Sequence, residues 1–296
     1  MQQQLAKRVV YALKGYFREQ TPEAPTDLSG GQTSAELVVR RCIDSRDTHE
    51  FFHHTAREAF ESTMVGAMIP VWDGGMSALQ TSVNLGLPAM NIGQVSAMVV
   101  KGHQECGAVA MLYKFLRTGH NLDSQAARLM LPMVDPEVVE LMRQVPEERE
   151  AEALQWLEQY IALKSVQHLY GYSFEQHHGD SFEAHSVREL AERGDLLIIA
   201  AVRGMTLKPD TGRYPLMVFD PEHGGFRDIE DIYLDAGSPD FAGMEQAASW
   251  RQYAERQHEL MPFVAGARAE ALGTIPLEEV ERGLKKAVLG AQALTR

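Results

Sequence analysis

The sequence predicts an α/β fold: a mostly parallel central β-sheet flanked by helices, with an N-terminal helical arm and a helical C-terminal extension. Three observations predict it. The apolar runs Glu36–Val39, Ser96–Val100 and Asp195–Val202 have the length and continuity of strands buried on both faces. Stretches with helical periodicity separate these runs, as parallel neighbours require. The chain has 296 residues, 45% of them hydrophobic and 23% charged, so it can bury a sizeable core without disulfide staples.

The elements follow in order. Residues 4–18 place Leu5, Val9, Leu13 and Tyr16/Phe17 on one helical face, and residues 19–35 form a Pro/Gly/Ser/Thr-rich connector. A helix with its own apolar stripe on a long connector suits packing against something distant, such as a partner subunit. Glu36–Val39 reads as a strand running into Arg40, Arg41 and Cys42. Residues 47–63 read as a polar helix, Met68–Trp72 as a strand closed by Asp73-Gly74-Gly75, and residues 76–93 as a helix. Ser96–Val100 ends at Lys101-Gly102, His103 to Cys106 form a turn, and a helix runs from Gly107 to Leu116. Residues 118–163 are mostly helical, broken at Pro132, Pro136 and Pro146. Residues 164–193 continue helical around a polar stretch holding His177, His178 and His185. The strand Asp195–Val202 has Pro215–Phe219 as its neighbour, and residues 241–261 and 276–293 are helical. The predicted domains are therefore an arm and connector (1–35), an α/β unit (36–235, with a helical insertion at about 118–163) and a helical extension (236–296).

The net charge of −13 makes nucleic-acid phosphates and anionic lipid unfavourable partners. No window approaches 18 apolar residues without charges, so no membrane span is expected. The segment Met1–Gln20 lacks an apolar core and a small-residue cleavage site, and two cysteines in so long a chain fit a reducing compartment; a cytoplasmic location is expected.

The two cysteines carry the chemistry. One opens Cys42-Ile43-Asp44-Ser45-Arg46; the other closes His103-Gln104-Glu105-Cys106. Two thiols and an imidazole are a three-ligand set for Zn²⁺ that leaves a fourth position open. Both halves lie just past strand ends, where open α/β sheets bind ligands. The plainer readings are two buried structural thiols, a Cys42–Cys106 disulfide, and a core histidine at 103. Asp44 and Arg46 add a charged pair. Asp44 can accept a hydrogen bond from metal-bound water while Arg46 holds its carboxylate, or it can bind zinc as a fourth ligand. The plain reading of this pair is a salt bridge at a strand end.

Cys-x-Asp-Ser-Arg, then about sixty residues, a buried strand and Gly102-His103-Gln-Glu-Cys106-Gly107, resembles the β-class carbonic anhydrases. The resemblance covers roughly residues 36–116 and 164–225; residues 118–163 and those after 240 exceed the family's usual pattern. It implies Cys42, His103 and Cys106 as zinc ligands, with Asp44 and Arg46 as the dyad beside zinc-bound water. The implied activity is that of a carbonate dehydratase, a zinc lyase: reversible hydration of CO₂ to bicarbonate by zinc-bound hydroxide. It also implies a homodimer or higher homo-oligomer whose N-terminal helices reach across the neighbour. Where the family carries a strand ending in Arg-Asn-x-Gly-Asn, this chain has Trp72-Asp73-Gly74-Gly75-Met76. That departure leaves two alternatives open: hydrolysis of COS or CS₂ on the same fold, and a non-catalytic zinc protein. His49, His53 and His54 suit either proton transfer or a solvated face. His177, His178 and His185 read as a surface loop rather than a second metal site, and Gly74-Gly75 as a tight turn.

Overall fold

In the computed structural model a strand begins within two residues of each of the apolar runs that start at Glu36, Ser96, Asp195 and Pro215. The structure describes residues 9, 13, 16, 37–44, 59–71, 97–120, 124–178, 181–193, 195–211, 213–220 and 224–235. The main sheet contains β1 (Leu37–Cys42), β2 (Ala59–Met64), β3 (Ala97–His103), β6 (Leu197–Arg203), β7 (Leu216–Asp220) and β8 (Gly225–Asp228). Their order is β2-β1-β3-β6-β7-β8. The first three pairings are parallel and the last two antiparallel. The sheet is thus parallel through its centre, with an antiparallel edge on one side. Between β3 and β6 the chain runs through α1 (Gly107–Thr118), α2 (Gln125–Met130), α3 (Pro136–Gln144), α4 (Glu150–Leu169), a separate antiparallel hairpin of β4 (Ser173–His178) and β5 (Ser181–Ser186), and α5 (Val187–Arg193). A seven-residue helix, α6 (Ile229–Asp235), follows β8.

Strand alternation sorts the buried side chains onto two faces. Val38, Met98, Val100, Ile198 and Ala200 pack with Leu163, Val166 and Leu169 of α4 and with Val187 and Leu190 of α5. The opposite positions, Val39, Ala97, Val99, Leu197, Ile199 and Ala201, pack with Ile229 and Ile232 of α6. Val9, Leu13 and Tyr16 of the predicted N-terminal stripe join that second face, against this chain's own sheet; Leu5 and Phe17 lie outside the described residues. A third cluster, lying at the strand ends, joins Cys42 and Cys106 to side chains of α1, α2, α3 and α4.

The helix α4 is buried on nearly every side, from Ala153 through Trp156, Leu157, Tyr160 and Ile161 to Val166 and Leu169. It lies between the sheet and the outer helices and contributes to both clusters, as a helix apolar all round must. The helical insertion predicted at about 118–163 is accordingly central to the core.

Three elements differ from the sequence-based expectation. Within the helix expected over 47–63, residues 59–63 belong to strand β2, which pairs in parallel with β1; residues 47–58 lie outside the described set. Ala59-Phe60 and Thr63-Met64 suit a strand, and backbone pairing with β1 overrides the polar look of the segment. Met68–Val71, expected as strand, has no regular structure. Met68 and Ile69 are buried, but the backbone of this stretch bonds to side chains instead of a neighbouring strand. The Ile69 N–H donates to Ser165 Oγ at 3.1 Å, and the Ile69 carbonyl accepts from His168 Nδ1 at 2.8 Å. Tyr172 donates to the Pro70 carbonyl at 2.9 Å. Residues 173–186, expected as helix and polar loop, form the β4–β5 hairpin. His178 and His185 occupy rungs four steps apart, about 13 Å along the strands. Trp72–Met76, the helix expected at 76–93 and the C-terminal extension lie outside the described residues.

Candidate metal centre

The site is built from the carboxyl ends of two adjacent strands and the start of one helix. In the parallel register of β1 and β3, Arg41 lies beside Lys101. Cys42 and His103 therefore come one and two steps later, at the same edge of the sheet. The pairing of β3 with β6 extends past the strand, because the Gln104 N–H donates to the Arg203 carbonyl at 2.8 Å. Glu105 then takes a left-handed backbone conformation, φ 57°. That reverses the chain and delivers Cys106 to the N-cap of α1.

The three expected ligands converge. One donor atom from each of Cys42, His103 and Cys106 lies within 4.8 Å of the others, and all three residues are buried. The two sulfurs are 3.9 Å apart and both cysteines are free, so the disulfide alternative does not hold in this structure. Tetrahedral coordination at a Zn–S length of about 2.3 Å sets two thiolates about 3.8 Å apart, so the spacing fits.

The histidine has the tautomer a ligand needs. His103 Nδ1 lies 2.8 Å from the Gln104 carbonyl, which can only accept, so Nδ1 carries the proton. Nε2 is then the basic nitrogen, and it belongs to the group formed with the two sulfurs. Such a second hydrogen bond fixes the ring orientation of metal-binding histidines.

The two sulfurs share a hydrogen bond in which either can be the donor. The pKa of the Cys42 thiol is lowered, chiefly by that hydrogen bond with Cys106, against the opposing effect of burial, and further by His103 and the Asp44 N–H. The Cys106 thiol is raised, first by that same hydrogen bond and then by burial; the Val109 and Ala108 N–H groups at the start of α1 pull the other way. A divalent cation favours both thiolates.

Asp44 lies at the rim. Its N–H donates to Cys42 Sγ at 3.5 Å, and its Oδ2 is 3.7 Å from His103 Nε2. Ile43, between them in sequence, is exposed. Arg46 lies outside the described residues, as do His49, His53 and His54.

One residue near the site was not anticipated. Glu158 projects from α4 and is 5% exposed; its Oε1 accepts the Cys106 N–H at 2.9 Å. Burial pushes its pKa up to about 7, against the lowering effect of the Cys106 N–H and His103. The sequence signal for it is an acid one step after Trp156-Leu157 in a helix that is otherwise largely apolar on that side.

Several solved structures resemble the chain at low identity. The β-carbonic anhydrase CcaA is 18% identical, with 68% of this chain and 80% of that one covered and a TM-score of 0.49. A tetrameric β-carbonic anhydrase from the filamentous ascomycete Sordaria macrospora is 18% identical over 72% and 94% of the two chains, with a TM-score of 0.44. A Coccomyxa β-carbonic anhydrase in complex with acetazolamide is 15% identical over 79% and 94%, with a TM-score of 0.43. No curated protein matches the chain. The family model for carbonic anhydrase matches residues 37–201, more than half of the sequence. That span begins at β1, ends in β6 and contains all three candidate ligands; the chain belongs to the carbonic anhydrase family, in its β class.

Proposed function

We propose that this chain is a zinc-dependent carbonic anhydrase that interconverts CO₂ and bicarbonate, with Cys42, His103 and Cys106 holding the ion. The observation that carries the proposal is the convergence of two thiols and a correctly protonated imidazole within 4.8 Å at the ends of β1 and β3. Zinc bound there supplies Lewis acidity that lowers the pKa of water to about 7. The chain's own groups do the rest. Asp44, at the rim and 3.7 Å from His103 Nε2, accepts a proton or hydrogen bond from the reacting hydroxyl and orients it. Arg46, two residues on, keeps that carboxylate ionised through a charge-assisted pair. The protein works as a homodimer or larger homo-oligomer in the cytoplasm, where both thiols stay reduced.

The test is metal stoichiometry and stopped-flow CO₂ hydration on the purified chain. The expected result is one zinc per chain, with zinc and activity both lost in Cys42→Ser. Asp44→Asn is expected to keep zinc and lose activity by about 10²-fold or more, the scale of a lost acid–base group. Absence of zinc from the purified chain would sink the proposal. Zinc with turnover of COS but not CO₂ would assign the hydrolase alternative, and zinc without either turnover the non-catalytic one.

A further inference from the structure

Glu158 sits where the cysteine-bearing turn lacks a local anchor. The N-cap residue of a helix has an N–H that the helix does not use, and a Glu or Gln three residues later commonly reaches back to accept it. Here the N-cap is Cys106 and the third helical residue is Val109, which has no acceptor. The turn before it also carries the left-handed Glu105, a conformation that needs support from its surroundings. Support comes from another helix. Glu158 Oε1 accepts the Cys106 N–H at 2.9 Å across 52 residues of sequence. The helix α4 packs over β3 at Gly102, where even an added Cβ would meet only ordinary van der Waals contact. A Cβ there would lie 3.8 Å from the Glu158 carbonyl and 3.9 Å from Ala162 Cβ.

We propose that Glu158 is a positioning residue for the metal site: by accepting the Cys106 N–H it completes the cap that the helix cannot complete itself, and so aims Cys106 Sγ at Cys42 and His103. The inference rests on the zinc-binding reading above. Glu158 meets the cysteine at its main-chain N–H and acts through the backbone of residue 106. The donor geometry of Cys106 therefore depends on the docking of α4.

The test compares Glu158→Gln, which keeps an acceptor of the same shape, with Glu158→Met, which keeps the length and suits a buried site but accepts no N–H bond. Zinc affinity is read by competition with a chromophoric chelator, and the site geometry by the sulfur-to-metal charge-transfer band of the cobalt-substituted protein. Glu158→Met is expected to bind zinc about 10–100-fold more weakly, the usual cost of losing a supporting partner of a ligand, with a reduced charge-transfer band. Glu158→Gln is expected to restore both. A Glu158→Met protein with the affinity and cobalt spectrum of the wild type overturns the proposal, and so does a Glu158→Gln protein as impaired as Glu158→Met. Wild-type protein that takes up neither ion sinks the zinc reading and this proposal together, whereas wild-type uptake with an unaffected Glu158→Met sinks this proposal alone.

Discussion

Glu105 shows how a single backbone angle serves the site. Its φ of 57° is the conformation that glycine adopts freely and other residues adopt at a cost of roughly 1–2 kcal/mol. The turn needs that angle to bring Cys106 back toward His103 only three residues later. Glu105→Gly is therefore expected to leave zinc affinity intact and stability level or slightly higher, while Glu105→Val lowers the melting temperature, because a β-branched residue resists the left-handed region. Thermal unfolding of both variants checks this; a Val variant as stable as the wild type would show that the turn relaxes. The same turn also fixes the His103 tautomer, since the carbonyl that holds Nδ1 belongs to Gln104.

At the scale of elements, α4 organises more than its sequence advertises. Its first half supplies Trp156 and Tyr160, stacked with centroids 5.4 Å apart, to the cluster around the cysteines. Its second half supplies Ser165 and His168 to the irregular stretch at Ile69. His168 yields a pH prediction. Burial lowers its pKa below the ordinary value, so the folded protein resists protonating it while the unfolded chain accepts a proton near pH 6.5. Stability is then full above that value and falls as pH drops from it toward the folded pKa. Melting temperatures between pH 7.5 and 5.5 are expected to decline more steeply for wild type than for His168→Gln, and equal slopes would refute the assignment. The strands β1, β3 and β6 were legible in the sequence because they are buried on both faces and read as continuous apolar runs. Met68-Ile69 is equally apolar and equally buried, yet it is not a strand. Its backbone partners are side chains about a hundred residues away, which no local pattern encodes. The β4–β5 hairpin did have a local signal in Gly179-Asp180, a dipeptide of the kind that links hairpin strands, and the surrounding polarity obscured it. At the site, the grouping of Cys42, His103 and Cys106 was legible because their spacing in sequence is specific. Glu158 was not, because its role is defined by a contact across 52 residues.

Across the whole molecule, Tyr16 is tied to residues about two hundred positions away in sequence. The Tyr16 hydroxyl donates to the Tyr214 carbonyl at 3.1 Å and to Glu230 at 3.3 Å, and the Arg213 guanidinium lies 5.8 Å from the Tyr16 ring centre. Burial, followed by the nearby Glu230 and Asp228 charges, raises the phenol's pKa and keeps it a donor. Beside it, Lys208 bridges Asp228 and Glu230 at 2.6 Å each. Tyr16→Phe is expected to cost about 1 kcal/mol, the usual net worth of such a bond, read as a drop in thermal or denaturant stability. No change would mean that the aromatic ring alone holds the segment down. Among the described residues no helix is long and apolar enough to cross a membrane, and the exposed large apolar side chains, Ile43, Val71, Met111, Leu207 and Leu234, are far apart in sequence.

The route of α4 also sets a timetable. A chain made from its N-terminus has synthesised Cys42, His103 and Cys106 well before Glu158 and β6 exist to shelter them. During that interval two thiols and an imidazole are open to oxidants and to other thiol-seeking ions, which bind such donors more tightly than zinc does in the case of copper. Under the zinc-binding proposal, metal fidelity is then partly a question of folding order. In refolding experiments, zinc uptake should keep pace with the burial of Trp156, followed by fluorescence in a variant where it is the sole tryptophan, and uptake that precedes that burial would separate the two events.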